Sequence, residues 1–401
     1  MTTTGRRIRV GFINTHPIQY AAPLYRFING SDDVEAVPIY LTDQSLRGAV
    51  DVQFGREVVW DVDLLGGTDP IFVPGYETRM IESGTFKMAV PGIMKVIRKG
   101  QLDALVIFGH VQFANHLATI AAKRMRLPVF YRGETHLGLD GTALKRLLRR
   151  TVMGNYYKLL DGFLAIGSLN HKFYRAMGVP ERKIFDAPYA VDNQRMIAAA
   201  DIGDNERAEV RASFGVRSDV PLILYASKLT TRKHPDDLLA AARKLRDEGL
   251  EFDLLFVGTG ELEERLRARA VDFPGAAPLF GGFINQSELP RVMGAADIFV
   301  LPSENEPWGL IINEAMCAGL AIVTTHEVGS VPDLVFDGVN GRLFEAGEID
   351  GLAEALRSLV ADPVVARAMG DESRRIIGGW GYAEDLAGIR AALRSRGLLA
   401  A

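Results

Sequence analysis

Short apolar runs alternate with helix-like segments along nearly the whole chain, and this alternation limits the fold more than any other feature. The first half contains such runs at Ile8–Asn14, Val34–Leu41 and Asp103–Phe108. The pattern then restarts, with runs at Pro221–Ala226 and Glu251–Val257. Buried strands separated by helices are typical of a parallel, doubly wound sheet. We therefore predict an α/β chain with two doubly wound, Rossmann-like domains.

The length of the chain supports two domains of similar size. Its 401 residues exceed one ordinary domain and suit two domains of about 200 residues each. The segment Asp192–Asp204, which has weak apolar content, separates the two halves. We place an N-terminal domain at residues 1–195 and a C-terminal domain at residues 196–379. We expect them to face each other across a cleft that holds the functional site.

Composition argues against several classes of protein. The formal charge is 46 − 50 = −4, so nothing points to a nucleic-acid partner. Cys317 is the only cysteine, which excludes an internal disulfide and fits a reducing, cytoplasmic compartment. On the helix where it lies, we expect it to be a packing residue. The polar start Met1–Arg7 predicts no signal peptide, and no apolar stretch of about 20 residues predicts a membrane span.

The strongest functional signal lies in residues 303–319. Glu306 and Glu314 stand eight positions apart, and Pro307 between them favours the start of a helix. We predict that this helix begins at Pro307 and ends before Gly319, which suits the left-handed position after a helix. The first turn would be formed by Trp308, Gly309 and Leu310.

Two properties of this predicted helix suggest its ligand. The N–H groups of a first turn have no partner within the helix and can bind an anion. Glu306 at the helix start and Glu314 inside it would stand roughly 12 Å apart, at ~1.5 Å rise per residue. A nucleotide-sugar presents a sugar diol, a diphosphate and a ribose diol in that order over a comparable span. Such a separation fits poorly with a glycoside hydrolase, whose two carboxyls lie about 5–10 Å apart.

Two further motifs follow strands of the second half. Lys228 and Lys233 come directly after the run Pro221–Ala226, where two ammonium groups could neutralise a diphosphate without a metal. Lysines in loops are also commonly just solvated. Gly258 and Gly260 resemble the start of a dinucleotide-binding turn, but the third glycine is missing, which argues against NAD. These glycines suit either the approach of a phosphate or a plain tight turn.

Four polar residues follow strands of the first half, at the ends expected to face the cleft. They are His16, His110, Glu134 and His136. Each could contact an acceptor molecule or act as a base. A histidine in a loop can equally be a structural hydrogen-bonding residue.

Two weaker patterns have alternative interpretations. Asp61 and Asp63 form a D-x-D pair that could hold a divalent metal, but their alternation in the predicted strand Phe54–Leu65 suits a solvated strand edge. The basic, amphipathic segment 144–160 could contact a membrane peripherally, or it could be an ordinary solvated surface helix.

The motifs of the second half resemble those of retaining glycosyltransferases of family 4, which have the GT-B fold. The resemblance rests first on Glu306-x7-Glu314 with Trp308-Gly309-Leu310. It extends through Ser227–Lys233, Val257–Glu261 and Ala296–Ser303. It covers most of the second half and, more loosely, the first. It also implies that a final helix at 380–401 completes the N-terminal domain.

The resemblance implies a role for each donor-side residue. Glu314 would bind the donor ribose, Glu306 the hydroxyls of the transferred sugar, and Lys228 with Lys233 the diphosphate. Amides of Trp308, Gly309 and Leu310 would hold sugar and phosphate. The backbone near Phe283 would receive the nucleobase. The family retains anomeric configuration and needs no bound metal or other cofactor, since the nucleotide-sugar is a co-substrate.

The sequence departs from the family pattern at four places. The glycine pair that is common in the first loop of the family is replaced by His16-Pro17-Ile18-Gln19. Lys228 stands where the family usually has arginine, and His234 where it usually has glycine. No residue matches the acceptor-side histidine cleanly, and Arg132, Glu134 and His136 compete for that role.

Taken together, these features predict a metal-independent transferase. It would move a hexose-type sugar from a nucleotide diphosphate donor, UDP-linked in our interpretation, to a hydroxyl of a glycan, lipid-linked or small-molecule acceptor. The alternatives are a non-catalytic GT-B module that binds nucleotide-sugar or glycan, and a GT-B phosphorylase or epimerase.

Overall fold

The computed structural model describes residues 6–51, 56–81, 88–110, 112–139 and 153–400. They form two units, each built around one parallel sheet. The first unit takes its described residues from Met1–Ala49, Val62–Tyr189 and Tyr382–Ala401. The second takes them from Val50–Asp61 and Ala190–Gly381. Two Rossmann-like α/β units were expected, and this fold class is confirmed.

The first half of the chain supplies the strands of the first sheet and a small separate ribbon. The strands are β1 Ile8–Asn14, β2 Val34–Tyr40, β3 Ala49–Asp51, β4 Arg56–Val58, β5 Ile71–Phe72, β6 Ala104–Phe108, β7 Val129–Arg132, β8 Gly162–Ala165 and β9 Ile184–Asp186. β3 pairs with β4 alone, and the others form a sheet in the order β5-β2-β1-β6-β7-β8-β9. The direction in which strands are added to the sheet reverses between the neighbouring strands β1 and β6. Ligands commonly bind at the carboxyl ends of the strands at such a switch point.

Helices pack against this sheet and bury its apolar strands. The helices of the first unit include Ala22–Asn29, Gly92–Lys99, Phe113–Arg124, Ser168–Ala176 and Tyr382–Arg394. The strands are nearly continuous apolar runs, as expected for a parallel sheet covered on both faces, and side chains such as Phe12 and Phe163 are fully buried.

The second unit repeats this architecture. Its strands are β10 Leu222–Ala226, β11 Asp253–Val257, β12 Leu279–Gly282, β13 Ile298–Leu301, β14 Ala321–Thr325 and β15 Gly341–Phe344, in the order β12-β11-β10-β13-β14-β15. Its helices include Asn193–Ala200, Asp204–Phe214, Pro235–Asp247, Glu263–Ala270, Leu289–Gly294, Leu310–Cys317, Val331–Leu334, Ile349–Val360 and Pro363–Ile377. The switch point lies between β10 and β13, so the loops after these strands are brought together.

Three features of the chain path differ from the sequence expectations. The units divide between Tyr189 and Ala190, a few residues before the expected position 195. Residues 50–61 belong to the second unit although they come from the first half of the sequence. The segment after Asp192 contains the unexpected helix Asn193–Ala200, whose start is stabilised because the Asp192 side chain accepts a hydrogen bond from the Arg195 N–H.

The final helix, Tyr382–Arg394, belongs to the first unit. A buried ion pair holds it there: Arg132 Nη1 and Nη2 each lie 2.8 Å from one carboxylate oxygen of Asp385. Arg390 makes a second, more exposed contact of the same kind with Asp33. Paired, parallel N–H···O bonds fix the orientation of both partners as well as their distance. In the part of the chain described here, no helix is long and apolar enough to cross a membrane.

Candidate functional site

The loop after β10 brings two cations, Arg232 and Lys233, to the buried carboxylate of Glu306. The loop contains Lys228 and ends in a short 3-10 helix, Thr231–Lys233. The Glu306 carboxylate accepts a hydrogen bond from Lys233 Nζ and another, 3.0 Å long, from Arg232 Nη1. Lys233 and Glu306 are both only 9% exposed, so the pair is shielded from water. Lys228, Lys233 and Glu306 were predicted from the sequence as site residues, whereas Arg232 was not.

The pKa of Lys233 is shifted by burial and by the charges of Glu306, Arg232 and Lys228. Burial lowers this pKa, the charge of Glu306 raises it, and the positive charges of Arg232 and Lys228 lower it again, with a net decrease. Lys228 therefore lies close enough for its charge to be felt by Lys233. Lys233 is buried, whereas Lys228 is half-buried and Arg232 is exposed. Three like charges on one loop are more favourable near anions, which suits a site for a polyanionic group.

The two glycines after β11 support this loop through close backbone packing. A Cβ on Gly258 would stand 2.0 Å from the Ser227 carbonyl oxygen, and one on Gly260 would stand 2.4 Å from that of Leu229. The Leu229 N–H donates to the Thr259 carbonyl across 3.0 Å. Both glycines thus let the loop of Lys228 approach, which accounts for the motif by packing within the protein.

The helix after β13 begins later than the sequence predicted. It spans Leu310–Cys317, and Gly309 precedes it with a left-handed φ of +86°. This conformation interrupts the helix, so Pro307 does not start it, and Glu306 lies before it. Glu306 instead pairs with the segment around Val328: its N–H donates to the Glu327 carbonyl and its carbonyl accepts from the Gly329 N–H. The estimate of a 12 Å separation along one helix was therefore wrong, because only Glu314 is in the helix.

The residues between Glu306 and the helix have different environments. Trp308 is 3% exposed, its indole N–H donates to Asn313 Oδ1 at 3.1 Å, and its ring stacks on Trp380. The Trp308 side chain thus anchors this segment. Leu310 is the first residue of the helix, so its amide and the next have no partner within the helix. Gly319 has a φ of +73° and follows the helix end, as expected.

Glu314 lies inside the helix and is buried. Burial raises its pKa to about 7, although the charge of Arg195 and a hydrogen bond from the Gln286 side chain oppose the rise. Arg195 Nη1 also donates to the Gln286 carbonyl at 3.1 Å. Glu314 is therefore a carboxyl group that titrates near neutral pH, with two neighbours that sequence patterns had not identified. Phe283, the expected position of a nucleobase, lies just before Gln286 and follows β12.

Cys317, at the end of the same helix, has the properties of a packing residue. Its side chain is buried, and burial raises its pKa to about 12. Its Sγ lies 3.5 Å from Asn193 Oδ1. A thiol with so high a pKa is a poor nucleophile at neutral pH.

The polar candidates of the first unit follow β1, β6 and β7, which are adjacent strands. Burial lowers the pKa of His16 to about 4, so its imidazole is neutral at pH 7. His110 Nδ1 lies 2.9 Å from the Tyr131 hydroxyl. The Glu134 carboxylate accepts a hydrogen bond from the Tyr189 hydroxyl at 2.8 Å. His136 Nδ1 accepts one from the Gly138 N–H at 3.2 Å.

Arg132 has a structural role in the first unit. It had competed with Glu134 and His136 for the acceptor-side position, but its guanidinium is 3% exposed and binds Asp385 with both terminal nitrogens. Burial alone would lower the pKa of Arg132, yet the charge and hydrogen bonds of Asp385 raise it above its ordinary value. Arg132 thus holds the final helix, and Glu134 and His136 stay as candidates.

The aspartate pair does not lie in a strand, contrary to the prediction. Asp61 accepts hydrogen bonds from the Ser287 N–H and hydroxyl, in the second unit. Asp63 accepts from the N–H groups of Leu65 and Gly66 and closes a local turn. Within the described residues, no group of three or more histidine, cysteine, aspartate or glutamate side chains is arranged for a metal. Most of the basic segment 144–160, residues 144–152, lies outside the described residues.

The second unit matches a known protein family. Residues 206–376 match the family described as glycosyl transferases group 1. The matched residues lie within the second unit. The match includes all three cations, both glutamates and the two glycines of the site.

Curated relatives of the chain include several named transferases. A GDP-mannose-dependent alpha-(1-6)-phosphatidylinositol monomannoside mannosyltransferase of Mycolicibacterium smegmatis is 31% identical over 211 residues, 51% of this chain and 53% of the relative. An alpha-maltose-1-phosphate synthase of Mycobacterium tuberculosis is 31% identical over 185 residues, 43% of this chain and 47% of the relative. A D-inositol 3-phosphate glycosyltransferase of Geodermatophilus obscurus is 26% identical over 396 residues, which cover 89% of this chain and 82% of the relative. The chain spans about half the length of the first two.

Solved structures share the fold of the whole chain. HepE of Anabaena, in complex with UDP and glucose, matches with a TM-score of 0.73 and 18% identity over 97% of this chain and 100% of that one. Sucrose-phosphate synthase of Thermosynechococcus elongatus matches with a TM-score of 0.70 and 16% identity over 98% of each. These are GT-B glycosyltransferases, and at such identities the likeness shows the fold alone.

One departure of the second unit from the expected motif has a local explanation. His234 stands in place of glycine and has a left-handed φ of +48°, a conformation that glycine adopts more easily. Its Nδ1 lies 2.7 Å from Asp237 Oδ2, and this hydrogen bond raises the pKa of His234 against the effect of burial. The contact with Asp237 helps to hold a backbone conformation that histidine adopts at some cost.

Proposed function

We propose that this protein is a retaining, metal-independent glycosyltransferase that moves a sugar from a nucleotide diphosphate donor to a hydroxyl acceptor. The observation that carries the proposal is the buried carboxylate of Glu306, which binds Lys233 and Arg232, with Lys228 on the same loop as these two cations. This cluster lies at the carboxyl ends of β10 and β13, at the switch point of the second sheet. A diphosphate needs several cations, and the transferred sugar needs a hydrogen-bond acceptor beside it.

The cations and the carboxylate suggest how donor binding would change the site. Diphosphate oxygens would compete with the Glu306 carboxylate for Lys233 and Arg232, because the charged N–H donors of these two side chains can bind either anion. Once these cations bind the diphosphate, the Glu306 carboxylate can accept hydrogen bonds from hydroxyls of the sugar. The cations would also stabilise the negative charge that develops on the leaving diphosphate. Amides at the start of the helix Leu310–Cys317 would add donors to the same anion.

The nucleoside end of the donor would bind near Glu314 and Phe283. A carboxylate accepts two hydrogen bonds from a ribose diol, and backbone groups near Phe283 can pair with a base edge. We favour UDP because HepE, which shares the fold, was solved with UDP and with UDP-glucose. Relatives named as GDP-mannose-dependent make GDP the competing donor base. Parallel titrations with UDP and GDP, of which UDP should bind more tightly, decide between them.

The acceptor hydroxyl would come from a glycan, a lipid-linked or a small-molecule acceptor. Glu134 and His136 are the first-unit residues best suited to contact it, and His110 is a third candidate. In a retaining mechanism the acceptor attacks the face from which the diphosphate leaves, and the departing phosphate oxygen takes the hydroxyl proton. The new glycosidic bond then has the same anomeric configuration as the donor, which proton NMR of the product measures directly.

The test begins with a thermal-shift screen of nucleotide-sugars. The true donor stabilises the protein through mass action, and we then measure release of its nucleoside diphosphate with and without candidate acceptors. Release that depends on acceptor establishes a transferase. Binding without any release supports a non-catalytic module, and conversion of the sugar without transfer supports an epimerase. No stabilisation by any nucleotide-sugar would contradict the proposal.

Activity is expected to survive chelation of metals. Lys228, Arg232 and Lys233 can neutralise the diphosphate, a task that a divalent ion performs in metal-dependent transferases. We expect nucleotide release in excess EDTA within about twofold of the untreated rate. Complete loss of activity in EDTA, restored by Mn²⁺ or Mg²⁺, would overturn the metal-independent mechanism.

Donor affinity is expected to rise as pH increases toward neutrality. The pKa of Glu314 is about 7, so its carboxyl is mostly protonated at lower pH and cannot accept both ribose hydrogen bonds. Below the pKa, affinity should change by up to about tenfold per pH unit and then level off. The diphosphate of a nucleotide-sugar is diesterified and does not titrate in this range. Calorimetric titration from about pH 5.5 to about pH 8 should show the dependence in the wild type.

The variant Glu314→Gln provides the matched control for this experiment. Glutamine cannot titrate, so donor affinity should be flat over the same range. The pKa of Glu314 is higher in the folded protein than in the unfolded chain, so the free energy of unfolding of the wild type falls as pH rises from about 4.5 to about 7. This contribution should be absent in Glu314→Gln. The same pH dependence of donor affinity in both proteins would show that Glu314 is not the group responsible.

A further inference from the structure

A short segment from the first half of the sequence is fastened to the second unit. We name residues 59–61 the strap. Asn285 Nδ2 donates a hydrogen bond of 2.7 Å to the Val59 carbonyl. At the other end, the Ser287 hydroxyl and N–H both donate to the Asp61 carboxylate, the N–H at 3.2 Å. Two polar contacts therefore hold the strap along residues 285–287, with Trp60 between them.

Trp60 lies beside Phe283 at this place. The two ring centroids are 6.3 Å apart and the rings are tilted by 57°, which is within the range of favourable aromatic contacts. Both residues are only half-buried, so part of the Trp60 indole is accessible to solvent beside this contact. Accessible aromatic side chains are the groups on which planar bases stack.

The same loop also reaches Glu314, the residue that we assign to the donor ribose. The Gln286 side chain hydrogen-bonds to the Glu314 carboxyl, and the Gln286 carbonyl accepts from Arg195. Phe283 and Gln286 are three positions apart on one short loop. The aromatic pair and the ribose-binding carboxyl are thus linked through consecutive residues.

We propose that the strap is part of the nucleoside site, with the Trp60 indole forming a wall against which the nucleobase of the donor packs. This inference rests on the proposed function, because it assumes that a nucleotide binds at the second unit. The ligand class is a nucleoside diphosphate, whose base is planar and uncharged. The Asp61 carboxylate serves to hold the strap, since it is already bound by Ser287.

The test compares Trp60→Ala and Trp60→Phe with the wild type in calorimetric titrations with UDP and with inorganic diphosphate. Loss of base stacking should weaken UDP binding by about tenfold in Trp60→Ala. Phenylalanine keeps an aromatic face, so Trp60→Phe should stay within about threefold of the wild type. Inorganic diphosphate has no base, and its affinity should be the same in all three proteins. Val271→Ala, at a side chain that is 79% exposed, serves as the control for handling.

A positioning variant adds an independent check. Ser287→Ala removes the hydroxyl that binds Asp61 and leaves Trp60 in place, so UDP affinity should fall between those of the wild type and Trp60→Ala. Unchanged UDP affinity in Trp60→Ala, or an equal loss of UDP and inorganic diphosphate, would overturn the proposal. A wild-type protein that binds inorganic diphosphate but no nucleotide would contradict the proposed function itself. Wild-type UDP binding that Trp60→Ala leaves intact would contradict only the role of the strap.

Discussion

Replacing Glu306 with glutamine is expected to lower the rate of nucleoside diphosphate release from the donor by about a hundredfold or more. The substitution keeps the size of the side chain and removes its charge, so the sugar hydroxyls lose the acceptor whose hydrogen bonds strengthen in the transition state. The loss of one preorganised charged partner in an active site is typically worth about 10²–10³ in rate. The decrease should appear mainly in kcat, because donor affinity also depends on the cations and on Glu314.

The physical consequence of Glu306→Gln extends to its two partners. Lys233 and Arg232 would lose the carboxylate that they bind, and Lys233 is buried. We therefore expect a moderate decrease in thermal stability that a bound nucleotide diphosphate partly restores, since its oxygens replace the carboxylate. Glu354→Gln, an exposed glutamate on the helix Ile349–Val360, is the matched control and should behave as the wild type. A turnover rate of Glu306→Gln within about threefold of the wild type would contradict the assignment.

Replacing Asp385 with alanine is expected to destabilise the first unit by about 3–5 kcal/mol. The substitution leaves the guanidinium of Arg132 buried without a compensating charge, and such broken pairs have costs of this size. Both partners are almost fully buried, at 3% and 1% exposure, so water cannot replace the lost contact. This pair joins the final helix to Arg132, at the end of β7. The expected result is a lower midpoint in urea or thermal unfolding of the first unit.

The double variant Arg132→Met with Asp385→Leu distinguishes a broken charge pair from lost packing. Apolar side chains of similar size leave no unpaired charge, so the double variant should be clearly more stable than Asp385→Ala. Glu384→Ala on the same helix is the matched control, because it removes a neighbouring carboxylate and leaves the Arg132–Asp385 pair intact. Wild-type stability of Asp385→Ala would show that the pair does not hold the final helix.

The strands, and the loops that carry the candidate residues of the second unit, could be predicted from the sequence because they depend on local patterns. Apolar runs such as Leu222–Ala226 form strands wherever helices cover both faces, and the loops that follow them come together at one edge. This was sufficient to select Lys228, Lys233 and Glu306 together. It was also sufficient to predict a second, similar unit.

Other features depended on contacts between distant positions or on backbone conformation. The helix start was misplaced because the left-handed φ of Gly309 outweighs the preference of Pro307 for a first turn. Arg132 had the residue type and position of a site residue, and only its contact with Asp385 reveals the structural role. The assignment of residues 50–61 to the second unit likewise depends on Asn285 and Ser287, which no sequence period indicates.

In the proposed function, the second unit holds a nucleotide-sugar through Glu314 and the cations Lys228, Arg232 and Lys233. The most direct test is the dissociation constant of the best nucleotide-sugar donor for the wild type, Glu314→Ala and the exposed control Glu354→Ala, measured by calorimetry at pH 8. We predict that Glu314→Ala loses about 1.5–3 kcal/mol of binding free energy, about tenfold to a hundredfold in affinity, while the control is unchanged. A donor affinity of Glu314→Ala equal to that of the wild type would contradict the account.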